Sequence, residues 1–415
     1  MKKVYDNCCG IDVHKKLMVA CFIHGREQEL REFGATTKEL LELADWLHKG
    51  GCQMIAMEST ASYWKPLYNI LESTGLNAIV VNAQHMKAVP GRKTDAKDAE
   101  WIADLLQHGL LQASYIPDKA QRELRELVGY RKSLVADKSR ELNRLQKMLE
   151  GANIKLSGSV AEINGMSSRK ILEVILSGEK IDAEKLEQMK KDKLIAHNLK
   201  TPFSQLAQDL NGFITPVQYR MMRELLSHID ELDIHIQNLN NDINNHMRNE
   251  EKQAVEAIKT VTGIADTSAQ AIIAVIGTDM GRFPTDGHIS SWAGLCPGNN
   301  ESAGKKHSGK TRKGNQLLRT TLVVCAHSAV KVKDSYFHAQ FQRISVHRGK
   351  KRAYVAVAHS LLIAIYHVLK DGVEFKDLGV EYYNQFNKER KIKAYLKKLK
   401  ALGWEDLRAM IEQPA

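Results

Sequence analysis

The first 107 residues alternate between strand-like and helix-like runs, and this order limits the fold more than any other feature of the sequence. Short apolar runs predict five strands, at residues 4–13, 17–23, 28–33, 52–57 and 77–82. Apolar residues at helical spacing predict three helices, at residues 36–47, at 64–71 and from 94 onwards. Three strands and a helix, followed by two further strand–helix pairs, are typical of an α/β domain with a mixed sheet.

Four acidic residues lie where these predicted elements begin or end. Asp12 ends the first strand and Glu58 ends the fourth, while Asp95 and Asp98 stand three residues apart at the head of the third helix. Carboxylates three residues apart share one helix face and repel each other unless a cation lies between them. Singly, each acid also has a plainer interpretation, as a turn cap, a surface residue or compensation of the helix dipole. Jointly, they favour a metal site.

This layout is typical of an RNase H/RuvC-like nuclease core. In such a core, four carboxylates hold two Mg²⁺ ions about 3.5–4 Å apart and stabilise the attacking and leaving oxygens of phosphoryl transfer. The predicted cofactor is therefore Mg²⁺, with Mn²⁺ as the alternative.

The excess positive charge is concentrated in one block. The formal net charge of the chain is +11, and residues 301–352 carry 13 Lys and Arg residues against 2 Asp and Glu residues. A block of this kind predicts binding to a polyanion such as DNA or RNA, with a solvated basic face as the plainer alternative. The predicted nucleic-acid-binding residues are Lys305, Lys306, Lys310, Arg312, Lys313, Arg319, Arg348, Lys350, Lys351 and Arg352.

The middle of the chain predicts long paired helices. Residues 119–150 read as one helix, and a second run has apolar residues at alternating spacings of three and four, which indicates a coiled-coil seam: Met222, Leu225, Ile229, Leu232, Ile236, Leu239 and Ile243. Several asparagines between residues 238 and 245 weaken the intrinsic helicity, so a partner helix must supply stability. We expect residues 119–256 to form an arm whose two helices pair and which also dimerises.

The second half holds three further segments of interest. Residues 257–277 partly resemble a helix-hairpin-helix, and a plain helix–turn–helix corner fits equally well. The stretch from Pro297 to Gly314 is rich in glycine, serine and lysine and predicts a mobile loop unless phosphates order it. Ser302 is one of several hydroxyls there, and chemistry alone does not single it out. Two apolar helices are predicted after the loop, and a lysine-rich helix in the tail.

Cysteine usage and hydropathy place the chain among cytoplasmic proteins. The six cysteines have neither metal-site nor disulfide spacing, and Cys8 and Cys9 read as buried thiols. No run of about 18 apolar residues occurs, so no membrane span is expected. The N-terminus lacks an apolar signal core.

The chain resembles the DEDD-type insertion-sequence transposases, which include the Piv-like invertases and the bridge-RNA-guided recombinases. The resemblance runs from about residue 7 to about residue 370. It rests on six motifs in order: Gly10-Ile11-Asp12-Val13-His14-Lys15, Met57-Glu58-Ser59-Thr60, Lys93-Thr94-Asp95-Ala96-Lys97-Asp98-Ala99, Ala293-Gly294-Leu295-Cys296-Pro297, Ser302-Ala303-Gly304-Lys305, and Lys313-Gly314-Asn315 with Leu318-Arg319.

The resemblance implies a RuvC-like domain at residues 1–118, the helical arm at 119–256, a transposase domain at 257–372 and a helical extension at 373–415. It implies Mg²⁺ binding by Asp12, Glu58, Asp95 and Asp98, and it assigns the nucleophile to Ser302. The implied reaction is serine attack on a DNA phosphodiester, followed by strand exchange and religation. The implied partners are element and target DNA, a guide RNA encoded by the element, and further copies of the chain in a dimer or a dimer of dimers, in the nucleoid of a prokaryote.

Other functional classes fit parts of the sequence. A RuvC-like metal-dependent nuclease of the junction-resolvase type would use the four acids without a serine step. A sugar-kinase or actin-like ATPase also opens with Gly-Ile-Asp after its first strand, but here His14-Lys15-Lys16 stands where a glycine-rich phosphate loop is needed. A non-catalytic nucleic-acid-binding protein would explain the basic block but not the four aligned acids.

Overall fold

The chain divides into two compact units, residues 1–118 and residues 119–415. The computed structural model describes residues 3–82, 95–160, 162–196, 199, 201–297, 300–302, 305–308, 311, 313–385 and 388–401. Each unit has its own hydrophobic core.

The first unit is built on a six-stranded mixed sheet with strand order β3-β2-β1-β4-β5-β6. The strands are β1 (Asn7–Val13), β2 (Leu17–His24), β3 (Glu27–Gly34), β4 (Met54–Glu58), β5 (Ala78–Val81) and β6 (Ala113–Ser114). The first three strands are antiparallel neighbours, whereas β1, β4 and β5 run parallel. The predicted mixed α/β order is confirmed. The sequence did not predict β6, which is two residues long.

Helices cover both faces of this sheet. They are α1 (Thr37–Lys49), α2 (Trp64–Ser73) and α3 (Asp95–Gln107). Cys9 and Ile11 of β1 lie in the core formed with α1 and α2, whereas Cys8 lies in a smaller core with α3. Because successive side chains of a strand point to opposite faces, β1 is apolar on both sides, as a central strand must be.

Gly10 lets α3 lie directly on the sheet. A Cβ atom at Gly10 would lie 2.2 Å from the backbone nitrogen of Ala103 and 2.5 Å from the carbonyl oxygen of Ala99. Farther back along β1, Cys8 Sγ lies 3.8 Å from the carbonyl oxygen of Ala103, and before the strand the Val4 N–H donates to the carbonyl of Gln107. The helix therefore runs antiparallel to β1, and its first turn lies towards the carboxyl end of that strand.

Replacing Gly10 with alanine is expected to destabilise the first unit by about 1–3 kcal/mol or more, because the added methyl meets the backbone of α3. Gly129 is the control, since nothing lies within 4 Å of a Cβ placed there. Gly129→Ala is expected to stabilise its helix by about 0.5–1 kcal/mol. Thermal unfolding measures both, and equal shifts for the two variants would contradict the close approach of α3.

The second unit is mostly helical. Its helices are α4 (Lys119–Gly151), α5 (Leu156–Ser159), α6 (Met166–Ser177), α7 (Ala183–Lys191), α8 (Phe203–Asp209), α9 (Pro216–His246), α10 (Asn249–Lys259), α11 (Asp266–Ile276), α12 (Asp286–Trp292), α13 (Gln316–Ala329), α14 (Tyr336–Arg348), α15 (Lys350–Asp371), α16 (Gly379–Gln385) and α17 (Lys388–Ala401). A short 3₁₀ helix, Met280–Arg282, precedes α12, and the strands β7 (Asn300–Ser302) and β8 (Lys305–Ser308) precede α13.

The long helices α4 and α9 pair antiparallel within one chain. His246, at the end of α9, contacts the carbonyl of Ala120 at the start of α4, and Lys138 pairs with Asp233 near the middle. Five positions of the predicted seam are buried: Met222, Ile229, Leu232, Leu239 and Ile243. The partner that the asparagine-rich helix requires is thus α4.

The asparagines of α9 have a structural role that the sequence did not reveal. Arg131 of α4 is 3% exposed and donates to Asn240 Oδ1 at 2.9 Å and to Gln270 Oε1 at 2.6 Å. Gln270, on α11, in turn donates to Asn244 Oδ1 at 2.7 Å. Burial lowers the pKa of Arg131 to about 10, which leaves it charged at neutral pH. The network ties α4 and α9 to α11 because a buried cation needs several acceptors.

The segment that partly resembles a helix-hairpin-helix is a helix corner whose glycine packs closely against another helix. Gly263, between α10 and α11, has φ +88°, and a Cβ there would lie 2.6 Å from the backbone nitrogen of Ala329. Asp266, the first residue of α11, pairs with Lys259 at 2.6 Å. Packing against α13 and an acid at the helix start both disfavour contact with a DNA phosphate, so the structure favours the plain corner.

One helix in the described part of the chain, α15, is long and apolar enough to cross a membrane by length and composition, with a mean hydropathy of 1.5. It is a core helix of the second unit, since Val357, Leu361 and Ile365 are fully buried in that unit's hydrophobic core.

Candidate active site and nucleic-acid interface

Asp12 and Glu58 occupy equivalent positions on adjacent parallel strands. The register pairs Ile11 of β1 with Met57 of β4, so the next residue on each strand is one of the two acids. By alternation from Cys8, Asp12 points to the sheet face that α3 covers. Asp12 is 4% exposed and Glu58 is half-buried. The fold thus brings two of the four predicted acids to one edge of the sheet.

Asp95 and Asp98 lie in the first turn of α3, over the same face. Because α3 runs antiparallel to β1 with Ala99 above Gly10, its first turn lies near the carboxyl ends of β1 and β4. Asp98 is half-buried. Among the side chains that the structure describes, no three His, Cys, Asp or Glu residues form a group able to hold a metal ion. The side chain of Asp95 lies outside that described set.

His14 contacts Asp12 and is a site residue to which the sequence assigned no role. Its Nε2 lies 2.9 Å from Asp12 Oδ2. A ring N–H that donates to one carboxylate oxygen fixes the rotamer of the carboxyl group. His14 follows the end of β1 by one residue, and strand alternation continued that far would place it on the face of Asp12, so the sequence did carry this signal.

The carboxylates at this edge suit a hard cation. Carboxylate oxygens are the ligands that Mg²⁺ prefers. Burial raises the pKa of Cys8 to about 11 and also raises the pKa of Cys21, two thiols on the same sheet face.

Ser302 lies at the end of a β-hairpin. Strand β7 pairs antiparallel with β8, in a register that places Ser302 opposite Lys305 and Glu301 opposite Lys306. The sequence predicted a loop across residues 297–314 and did not predict these two short strands. Two short antiparallel strands form a hairpin there. The side chain of Ser302 and residues 303–304 lie outside the described residues.

Both ends of this hairpin segment are anchored. Pro297 forms a β-bridge with Thr311, whose Oγ1 accepts a hydrogen bond from Arg319 at 2.8 Å. A Cβ at Gly314 would lie 2.4 Å from backbone atoms of Ala293, so only glycine fits there. The two ends of the hairpin are thus held by contacts among three motif segments of the second half, those around Ala293, Gly314 and Arg319.

The predicted nucleic-acid-binding residues fall into two groups. Lys305 and Lys306 belong to β8 beside Ser302, but their side chains, together with all of Lys310 and Arg312, lie outside the described residues. In the second group the side chains are described and exposed, except that Arg319 is half-buried: Lys313, Arg319, Arg348, Lys350, Lys351 and Arg352.

Four of these cations form a basic corner, defined here as Arg348, Lys350, Lys351 and Arg352, where α14 meets α15. Gly349, with φ +81°, makes the sharp turn between the two helices. Three of the cations occupy the first turn of α15, where the helix dipole disfavours positive charge. The sequence has no Asp or Glu between Asp334 and Asp371 to offset that cost. Such an arrangement fits a surface that binds a polyanion.

Comparison with known proteins adds independent evidence. Residues 9–154 match the family model of DEDD transposases of the IS110 group, and residues 255–342 match the model of the transposase IS116/IS110/IS902 family. The chain is also similar to the insertion element IS110 uncharacterized 43.6 kDa protein of Streptomyces coelicolor, with 22% identity over 371 residues that cover 80% of this chain and 86% of that protein.

The two matches, one running from the first unit into the second and one within the second, define an enzyme that acts on DNA, a transposase or recombinase of an insertion sequence. The chain belongs to the IS110 family of DEDD transposases.

Proposed function

We propose that this transposase excises and inserts its element through a covalent phosphoserine at Ser302, with an RNase H/RuvC-like first unit that binds Mg²⁺ or Mn²⁺ through Asp12, Glu58, Asp95 and Asp98. The observation that carries the metal site is the register of β1 and β4, which makes Asp12 and Glu58 neighbours on the sheet face that α3 covers. Three antiparallel strands continued by parallel ones, with helices on both faces, support the RNase H-like assignment.

The proposed chemistry conserves the energy of the phosphodiester bond, because each phosphate ester bond that breaks is replaced by another. The Ser302 oxygen bonds to a DNA phosphorus and loses its proton, while the bond from phosphorus to the leaving DNA oxygen breaks and that oxygen takes a proton. A hydroxyl of another DNA end then attacks the phosphoserine and releases the serine. A bound Mg²⁺ would stabilise charge on the phosphate oxygens. No bond energy is lost between cleavage and religation, so no nucleotide cofactor is needed.

The proposed partners are element and target DNA, an RNA encoded by the element, and further copies of the chain in the nucleoid of a prokaryotic cytoplasm. The exposed basic corner supports nucleic-acid binding. Exposed apolar side chains on the paired helices support dimerisation through a coiled-coil arm, since Tyr130 is 58% and Ile234 is 60% exposed. The division into domains at residues 118, 256 and 372 remains part of this proposal.

The test combines the purified full chain with junction DNA of the element and Mg²⁺, with and without RNA transcribed from the element's flanks. A denaturing gel is expected to show a protein–DNA adduct and recombinant DNA that require Mg²⁺ and the RNA. Nicked DNA without any adduct would instead support a metal-dependent nuclease of the junction-resolvase type. Full activity without RNA would refute the RNA-guidance part of the proposal and leave the rest unaffected.

A further inference from the structure

Three rings from three helices pack together at the surface of the second unit. His327 of α13 lies on Tyr354 of α15, with ring centroids 3.5 Å apart and an interplanar angle of 23°. Phe341 of α14 packs on Tyr354 with centroids 4.6 Å apart. We call these three residues the aromatic stack.

His327 is the solvent-exposed member of the aromatic stack. Phe341 and Tyr354 are half-buried and pack against the core of the unit, whereas His327 is exposed. Because Tyr354 lies against one face of the imidazole ring, a ligand that stacks on His327 would lie on the opposite face. The rigid rings beneath it hold that face in place at little entropic cost.

The basic corner adjoins the stack through helical spacing. Lys350 and Lys351 stand four and three residues before Tyr354 on α15, and therefore on its side of the helix. Arg348 follows Phe341 by seven residues, two turns along the same face of α14. Within the described part of the chain, no ion pair joins Lys350 or Lys351 to a carboxylate.

We propose that the aromatic stack binds an unpaired nucleotide of single-stranded nucleic acid. Its base stacks on the open face of His327, and its flanking phosphates lie against Lys350 and Lys351. Flat rings beside cations are the combination that binds single strands, because every base has a π-face and every nucleotide a charged phosphate. Bases inside a duplex are stacked on each other and cannot present a face, so the ligand is unpaired.

The same surface of a second copy of this chain fits the aromatic stack and the basic corner less well than a nucleic acid does. Residues 335–370 contain cations but no Asp or Glu, so two such surfaces would repel each other. The inference rests on the DNA-transposase class and does not depend on the serine step. Both a displaced DNA strand and an RNA loop offer the required chemistry.

The test measures binding of the full chain to labelled oligo-dT and oligo-U of about 12 nucleotides, the site size typical of single-strand binders, by fluorescence anisotropy at several salt concentrations. His327→Ala is expected to weaken binding about ten-fold, the loss of one stacking contact. Because no phosphate contact is lost, the slope of log affinity against log salt stays unchanged. Lys350→Ala with Lys351→Ala is expected to reduce that slope by about 1.4.

His367→Ala is the matched control, an exposed histidine of α15 that pairs with Asp371. It should bind as the unsubstituted chain does. Equal binding by His327→Ala and His367→Ala would overturn the proposal, and so would an oligonucleotide with an abasic site that binds as tightly as its parent. If His327→Ala weakens binding of oligo-dT more than that of oligo-U, the ligand is single-stranded DNA. The reverse result identifies RNA.

A chemical map gives a second measurement. Single-stranded oligonucleotides that carry 5-iodouracil are irradiated with the protein, and the crosslinked peptide is identified by mass spectrometry. Crosslinks to the peptides that carry His327 or Tyr354 are expected. Crosslinks confined to other peptides would contradict the site. Neither measurement needs cleavage, so failure of the serine mechanism and failure of this site are distinguishable.

Discussion

Replacing Ser302 with alanine is expected to abolish the protein–DNA adduct and recombination while leaving DNA binding nearly unchanged. The proposed covalent intermediate uses the serine oxygen itself, and alanine offers no atom to replace it. The loss is expected to reach at least about 10⁴-fold, the scale observed when a serine nucleophile is removed from an enzyme. Binding persists because phosphate contacts from the lysines and arginines supply most of the affinity.

Ser308→Ala is the matched control for this experiment. Ser308 belongs to β8, opposite Asn300 in the same hairpin, so its replacement tests whether any hydroxyl of the hairpin suffices. Adduct formation is read on a denaturing gel, and binding is read by anisotropy with the same DNA. If Ser302→Ala still nicked junction DNA at the original rate, the chemistry would belong to the first unit as a metal-dependent nuclease.

Periodicity predicted the elements of the first unit well but could not reveal how closely two of them approach. The strand β1 and the helix α3 each follow from local apolar spacing, and so does the position of the acids at their ends. The contact of Gly10 with the backbone of Ala99 and Ala103 is a long-range packing fact. A glycine within an apolar strand was the available signal, since it marks a close approach of another backbone.

Composition did not predict the two paired strands around Ser302. Glycine, serine and lysine are common in mobile loops, and the sequence from Pro297 to Gly314 has few apolar anchors. The order there comes from the bridge between Pro297 and Thr311 and from the contact of Gly314 with Ala293. These are pairings between residues far apart in sequence, which propensity does not encode.

For the asparagines of α9, the sequence shows the local effect but not the structural role. Asn240 and Asn244 lower helix propensity, which the sequence does show. Their function as acceptors in the network of Arg131 and Gln270 depends on three helices meeting, which only the folded chain shows. The cost in helix propensity is offset by the acceptors that these residues supply, Asn240 to the buried cation and Asn244 to Gln270.

Replacing Asp98 with asparagine is expected to lower the cleavage rate by about 10²-fold or more, because metal ions contribute several kcal/mol to phosphoryl transfer. Asp104→Asn is the matched control, the same substitution six residues farther along α3 at an exposed position that contacts His108. It should leave cleavage unchanged. Equal losses in both variants would show that the effect comes from the helix and not from a metal ligand.

Thermal unfolding separates the two interpretations of Asp98. If Asp98 only compensates the dipole of α3, its replacement lowers stability by about 0.3–1 kcal/mol, and Mg²⁺ has no effect on either protein. If it belongs to a metal site, neighbouring carboxylates repel it when metal is absent, so Asp98→Asn raises Tm in EDTA. Mg²⁺ at 100 times its Kd would then stabilise the unsubstituted chain by about 2.7 kcal/mol and the variant by much less. The sign of the shift in EDTA therefore decides between a helix cap and a metal ligand before any DNA is added.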